Sequence, residues 1–191
     1  MTRRVACVIG WPVKHSRSPV IHNHWIKQYG IAGEYRREEV APAAVADFFA
    51  NIAARGYVGC NVTLPHKEAA LVASEPDDRA RAVGAANTLW LDGVRLYSTN
   101  TDVEGFTANL DAAVPGWDAR RDEAVVLGAG GSARAVIYGL IERAIGTIHV
   151  VNRSAERAEE LRWRFGAAVQ PAQWSALPHL LARATLLINT T

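Results

Sequence analysis

Three lysines stand against eighteen arginines in this chain, and one of them, Lys67, closes the stretch Gly59-Cys60-Asn61-Val62-Thr63-Leu64-Pro65-His66-Lys67. Arginine stays protonated in a protein, whereas a lysine amine exchanges its proton when its surroundings lower its pKa. A site that needs proton transfer could not accept the arginine used almost everywhere else. Apolar Val58, Cys60 and Val62 alternate with Gly59, Asn61 and Thr63, so the approach to Lys67 reads as a strand with one buried face and with an amide and a hydroxyl on the other. Pro65 lacks the N–H that a sheet would use and suits the first turn of a helix, which ends the strand and puts Lys67 near a helix start. The positive end of the helix dipole disfavours a cation there. Lys67 is therefore expected either to point into solvent, as an ordinary surface lysine, or to be held for a purpose by a nearby acid.

A second group with chemical meaning is Gly128-x-Gly130-x-x-Ala133. It lies between the apolar run Ala124-Val125-Val126-Leu127 and a helical stretch from Ser132, the context in which a glycine fingerprint points to a dinucleotide. The first glycine permits a tight turn, and the second lets the backbone approach a pyrophosphate, with Ala129 between them. Gly131 and Ser132 then open a helix whose N–H groups favour an anion. A glycine turn kept only for close packing is the alternative. At the end of the next strand an NAD site would place an acid on the ribose hydroxyls, whereas this chain has Asn152-Arg153-Ser154, with Arg157 one turn on. An acid would repel a 2′-phosphate and arginine accommodates one, which favours NADP over NAD.

Elements must position these groups. Arg4 to Ile9 reads as a strand, followed by a loop carrying Lys14, His15, Ser16 and Arg17. Ser18 is expected to cap the next helix, with Pro19 first, Ile21, Trp25 and Ile26 on its spacing, and Gly30 closing it. Pro42 to Arg55 repeats that grammar up to Gly56, and the charged run Glu34 to Val40 between them suits an edge strand. Asn87 to Leu91 and Val94 to Tyr97 flank Asp92-Gly93, the dipeptide of a tight hairpin. Thr101 and Glu104 form a capping-box pair for a helix from Asp102 to about Ala113. From Ala124 strands and helices alternate as a doubly wound βαβαβαβ run. The expectation is an α/β protein of two domains: a mixed-sheet domain over residues 1–104 and a Rossmann-type domain over 105–191, with the Asp102 helix as connector.

With 191 residues and 49% hydrophobic content the chain can bury real cores. Its net charge of +2 comes from scattered arginines, so nucleic acid and anionic membrane are poor partners. Cys7 and Cys60 lie far apart in apolar runs with no CxxC and no histidine cluster, so they read as buried free thiols of a reducing cytoplasm, and no metal is expected. The first apolar run meets Gly10 and Pro12 too soon for a signal peptide or a membrane span.

Taken together, Gly10-x-Pro12-x-x-His15-Ser16-x-Ser18-Pro19-x-x-His22-Asn23, Asn61-Val62-Thr63-x-Pro65-x-Lys67, Gly84-Ala85-x-Asn87-Thr88 and Asn100-Thr101-Asp102-x-x-Gly105 resemble the successive signatures of the shikimate dehydrogenase family. Gly128-Ala129-Gly130-Gly131 and Asn152-Arg153-Ser154-x-x-Arg157-Ala158 complete the likeness at its NADP site. The resemblance implies reversible NADPH-dependent reduction of 3-dehydroshikimate to shikimate. It assigns Ser16, Ser18, Thr63, Asn87 and Asp102 to the substrate's carboxylate and hydroxyls, with Asn61 nearby, and makes Lys67 catalytic. Asp78 is tied to the cofactor more weakly and reads equally well as a helix-starting acid beside Asp77.

Physical chemistry supports these roles on its own. A hydroxylated cyclohexene carboxylate offers donors and acceptors that serine, threonine and asparagine can satisfy. Negative charge left on a ketone oxygen by hydride arrival would be met by a proton from Lys67, with Asp102 orienting the amine. Family members continue well beyond Thr191, so the chain reads as truncated relative to them, with the nicotinamide side of the cofactor pocket incomplete. Two rivals stand beside this reading. Ser18 and Arg153 speak against a quinate/shikimate enzyme using NAD. Lys67 and Asp102 speak against a non-catalytic ligand-binding relative, which has no need of a proton donor. Oligomeric state is not legible, and a homodimer is carried as an open expectation.

Overall fold

The computed structural model describes residues 4–120 and 122–191. In chain order the first half contains β1 (Arg4–Gly10), α1 (Ser18–Gln28), β2 (Gly33–Glu39), a 3-10 turn (Pro42–Ala44) running into α2 (Val45–Ala50), β3 (Tyr57–Val62), α3 (Lys67–Val72), β4 (Glu75–Pro76), α4 (Asp78–Val83), β5 (Thr88–Asp92) and β6 (Arg95–Thr99). The second half contains α5 (Asp102–Ala113), β7 (Glu123–Leu127), α6 (Gly131–Glu142), β8 (Thr147–Val151), α7 (Ala155–Phe165), β9 (Val169–Ala172), a 3-10 turn (Trp174–Ala176), α8 (Leu177–Leu181) and β10 (Leu186–Asn189). The chain divides into two compact units, residues 1–100 and 101–191.

The first unit is built on a six-stranded sheet of order β2-β1-β3-β5-β6-β4. Charged β2 lies at its edge, where the sequence suggests it, and β5 alone runs against its neighbours. One face is filled by Cys7, Ile9, Phe48, Phe49, Ile52, Cys60, Val62 and Leu89, all buried. Each large apolar side chain taken fully out of water there contributes about 1.5–3 kcal/mol.

The second unit is a parallel sheet of order β10-β7-β8-β9. Its central strand carries Ala124, Val125 and Val126, all at 0% exposure, because helices cover both faces. Ala124 and Val126 pack with Ile137, Leu140 and Leu161, while Val125 packs with Val151 and Leu180. The chain goes outward from β7 to β8 and β9 and then returns to the far side of β7, so the sheet changes direction at that strand. Ligands of such sheets gather at the carboxyl ends of the strands flanking this point.

Local details depart from the sequence expectations. Pro65 stands in the turn before α3 and not in its first turn, and the helix expected from Pro42 to Arg55 is a 3-10 turn followed by α2, which ends at Ala50. Val58 is 42% exposed while Tyr57 is buried, because the β1–β3 pairing slips between Val5/Tyr57 and Ala6/Gly59. A bulge inserts one residue and reverses the alternation upstream of it. Ser18 is the first residue of α1 and not its cap; Arg17 occupies the cap position without a side-chain bond. Asp92 pairs with Arg95, so the hairpin loop is Gly93-Val94, one residue later than expected. Thr101 precedes α5 but makes no side-chain cap bond, and the capping box is not formed there.

Candidate active site

Because β5 runs antiparallel, its first residue Thr88 lies beside Asn61 near the carboxyl end of β3 and beside Thr99 at the carboxyl end of β6. One end of the first sheet therefore gathers the loops after β1, β3 and β6 and the segment entering β5. Beyond β3 the chain is tied back at once: Thr63 N–H donates to the Ile9 carbonyl at 2.9 Å, and Trp11 N–H donates to the Leu64 carbonyl at 3.0 Å. The Leu64–Pro65 and Trp11–Pro12 peptides are both cis. His66, 2% exposed, places Nε2 at 2.7 Å from the Val40 carbonyl, where only an N–H can serve.

Lys67 opens α3 and is only 9% exposed, which rules out the solvated surface lysine. Its carbonyl accepts the Ala86 N–H at 2.9 Å, so the helix start is stitched to the segment that carries Asn87. Burying a cation at the positive end of a helix is unfavourable in itself. The fold keeps most of this residue out of water all the same.

Polar side chains surround the same end of the sheet. Tyr35 Oη donates to Asn61 Oδ1 at 2.6 Å, Asn61 Nδ2 donates to Thr88 Oγ1 at 3.0 Å, and Thr88 Oγ1 donates to Asn87 Oδ1 at 3.0 Å. Burial pushes the Tyr35 phenol up from its ordinary range, so it stays a donor. In the loop after β1, Ser16 Oγ lies 3.2 Å from Ser18 Oγ and also receives the Ser18 N–H at 3.3 Å. Arg37 from β2 holds that loop by a 2.8 Å bond to the Ser16 carbonyl. Ser16, Ser18, Asn61, Thr63, Lys67 and Asn87 all belong to this unit.

The second unit brings together the expected anion-binding residues at the carboxyl ends of β7 and β8. Gly128 has φ +104°, and a Cβ there would lie 2.7 Å from Thr190 Oγ1, so only glycine fits. Thr190 in turn donates from Oγ1 to the Leu127 carbonyl at 2.7 Å, bracing the turn from the end of β10. Ala129 is buried beneath the turn, and Gly130 has open space where a Cβ would stand, a cradle at the start of the twelve-residue α6. Gly131 begins that helix and Ser132 is exposed on its first turn.

After β8, Asn152 Nδ2 folds back on the Ser154 carbonyl at 2.9 Å, and Ser154 caps α7. The Ser154 hydroxyl also donates to Glu156, which lowers that carboxyl's pKa. Arg153 and Arg157 are exposed, and no carboxylate among the described residues pairs with either. Two uncommitted guanidiniums at a helix N-terminus suit a phosphate.

Two expected acids remain. Asp102 is the first residue of α5, half-buried, in the second unit. Asp78 is the exposed first residue of α4 in the first unit, next to Asp77, whose Oδ1 caps the helix from 2.8 Å. Its surroundings are those of a helix-starting acid. Tyr35, His66 and Thr190 are supporting residues to which sequence reading gives no role, and Thr88 enters it only as a member of a motif. The partners of Tyr35, His66 and Thr190 are distant in the chain, and no short spacing marks them. Among the described residues no group of three or more His, Cys, Asp or Glu is placed to hold a metal ion, and no helix is long and apolar enough to cross a membrane.

Both units match known families. Residues 8–89 match the shikimate dehydrogenase substrate binding domain, and residues 112–191 match shikimate / quinate 5-dehydrogenase. The chain is 60% identical to a shikimate dehydrogenase (NADP(+)) of Nitrobacter hamburgensis over 98% of its own length and 66% of that protein's. It is 61% identical to the protein of the same name from Afipia carboxidovorans, over 97% of this chain and 67% of that one. The crystal structure of shikimate 5-dehydrogenase from Thermus thermophilus in complex with NADP(H) and shikimate superposes with a TM-score of 0.80 at 32% identity, covering 98% of this chain and 68% of that chain. The chain thus spans about two thirds of the length of these relatives. With the substrate-binding model on one unit, the dehydrogenase model on the other and relatives this similar across both, the chain belongs to the shikimate dehydrogenase family.

Proposed function

We propose that the protein catalyses the reversible reduction of 3-dehydroshikimate to shikimate with NADPH, a step of aromatic amino-acid biosynthesis. The observation that carries this is Lys67: a rare lysine, buried at a helix start, at the end of a sheet where Ser16, Ser18, Thr63 and Asn87 supply hydroxyls and an amide. Such a set matches a small polyhydroxylated carboxylate, which needs both donors and acceptors. Asn61 lies among them. Two free thiols, Cys7 and Cys60, are buried side by side on β1 and β3, which suits the reducing cytoplasm.

The second unit fits NADP. Gly128 to Ser132 would receive the pyrophosphate on backbone N–H groups, and Arg153 and Arg157, with Asn152 and Ser154, would receive the 2′-phosphate. When bound, the nicotinamide supplies the hydride. The protein's part is to hold the substrate and to supply the proton: Lys67 Nζ gives it to the substrate oxygen as charge builds there, and Asp102 orients substrate hydroxyl and amine. Asp78 stands as a weaker cofactor contact. Incubation with shikimate and NADP+ while following nicotinamide reduction tests the reading. A full-length protein that reduces NADP+ with shikimate supports it, and one that turns over only quinate with NAD overturns it.

A further inference from the structure

The hydrogen bonds linking Tyr35, Asn61, Thr88 and Asn87 have a direction, and the direction has a consequence for what Asn87 can recognise. Each of the four side chains can donate or accept, so the chain could run either way. The Asn61 amide decides. Its Nδ2 lies 3.5 Å from the Asn87 backbone carbonyl and 3.0 Å from Thr88 Oγ1. A carbonyl can only accept, and turning the amide over would set Oδ1 against it. With Nδ2 so placed, Oδ1 must take its proton from the Tyr35 hydroxyl at 2.6 Å. Thr88 Oγ1 accepts from Asn61, and in the structure it faces Asn87 Oδ1 at 3.0 Å and donates its proton there. The Asn87 carboxamide therefore turns its oxygen toward Thr88 and its N–H groups the opposite way.

Both ends of this chain are fixed. Asn87 N–H donates to the Thr99 carbonyl at 3.1 Å, and its own carbonyl accepts the Val62 N–H at 2.8 Å, so its backbone cannot swing. At the other end Asn23 clamps Tyr35 through Oδ1 to its N–H at 2.9 Å and through Nδ2 to its carbonyl at 2.8 Å. The Tyr35 ring stacks on His22 with centroids 4.2 Å apart.

We propose that Tyr35 and Thr88 are positioning residues that, through Asn61, fix Asn87 as a hydrogen-bond donor to a substrate oxygen. This rests on the assignment of Asn87 to the substrate. Asn61, engaged at both ends of its amide, acts as frame and not as ligand contact. The specificity that follows is for a hydroxyl or keto oxygen with a free lone pair at that point of the ring, against a group that can only donate.

The test uses the full-length protein, shikimate and NADP+. Thr88→Val keeps the shape of the side chain and removes the hydroxyl, whereas Thr88→Ser keeps the hydroxyl. One lost hydrogen bond gives Thr88→Val a KM for shikimate about fivefold to tenfold higher, with the KM for NADP+ unchanged. Thr88→Ser stays within about twofold of the parent, and Tyr35→Phe raises the shikimate KM about threefold. In an Asn87→Ala background neither Thr88→Val nor Tyr35→Phe adds anything, because the group they position is gone. A Thr88→Val protein with the parental KM overturns the proposal, and so does a loss of equal factor in both backgrounds, which is what a merely structural role would give. An Asn87→Ala protein with an unchanged shikimate KM would instead remove Asn87 from the substrate, and the positioning role with it. Should Thr88→Val fail to fold, Tyr35→Phe in the two backgrounds decides in the same way.

Discussion

On the proposed function, the two units hold a polar ligand in opposite ways. In the first, polar side chains are half-buried and bonded to one another across strands, as in the path from Tyr35 to Asn87, and a cation is kept at 9% exposure. In the second, the expected contacts are backbone N–H groups at a glycine turn and arginines that stand exposed beside it. Buried polar groups must be satisfied, so each one in the first unit depends on its neighbours. Exposed guanidiniums carry no such debt. The first arrangement gives discrimination at the cost of tolerance to substitution, and the second leaves cofactor preference adjustable residue by residue.

Lys67→Ala strikes the most dependent group and should show the largest effect. General acid catalysis is worth roughly a hundred to ten thousand fold, so kcat should fall by that factor while the KM for shikimate changes little. If kcat survived and only substrate affinity were lost, the lysine would bind without donating. Asp102→Ala should lower kcat and also raise KM, since Asp102 is assigned to a substrate hydroxyl. A double-mutant cycle shows whether the two act as one: the double variant should then be little worse than the poorer single variant.

Arg153→Ala probes the other design. A charge-assisted contact to phosphate is worth roughly 1.5–3 kcal/mol, so NADP affinity should drop about tenfold to a hundredfold. NAD affinity and thermal stability should stay put, because no carboxylate among the described residues depends on this guanidinium. Equal loss of both cofactors would make Arg153 structural and erase the contrast between the units. Gly128→Ala should be of similar size but of another kind. A side chain at φ +104° facing Thr190 Oγ1 at 2.7 Å strains the turn by roughly 1–3 kcal/mol. Melting temperature and both cofactors should suffer together.

The same contrast explains what could be read in the sequence. Backbone devices have local signatures: the glycine turn, Arg153 after β8 and the strand exit ahead of Lys67 each sit within a few residues and form close to where the spacing puts them, although Pro65 stands in the turn before α3 and not in its first turn. Networks do not. Tyr35 and Asn61 are 26 residues apart, and nothing in either segment says that a phenol will meet an amide. Val58 lies off the buried face that the alternation predicts, because a bulge is a fact of the pairing between β1 and β3, invisible in the alternation of one strand. Ser18 failed as a cap because Ser16, two residues earlier, supplies the oxygen that receives its N–H. Thr101 and Glu104 have the right spacing for a capping box, yet the chain leaves β6 and enters α5 within two residues, and the Thr101 side chain makes no cap bond.

Helix caps give the smallest expected effects and the finest version of the comparison. In the first unit Asp77 Oδ1 receives the Ala80 N–H at 2.8 Å, a well-formed cap of α4. Its replacement by alanine should cost about 1 kcal/mol of stability. In the second unit the Ser154 hydroxyl receives the Arg157 N–H only at 3.5 Å and spends its own proton on Glu156. Ser154→Ala should therefore cost a few tenths of a kcal/mol in denaturant titration, less than an average cap. If Ser154 also serves the 2′-phosphate, as assigned here, NADP affinity should fall several-fold in the same protein while NAD affinity holds. The two readouts separate the roles: a weak cap with a clear NADP effect marks a hydroxyl kept for the cofactor. A loss of about 1 kcal/mol with unchanged NADP affinity would mean that Ser154 serves only α7, and that the arginines select the phosphate without it.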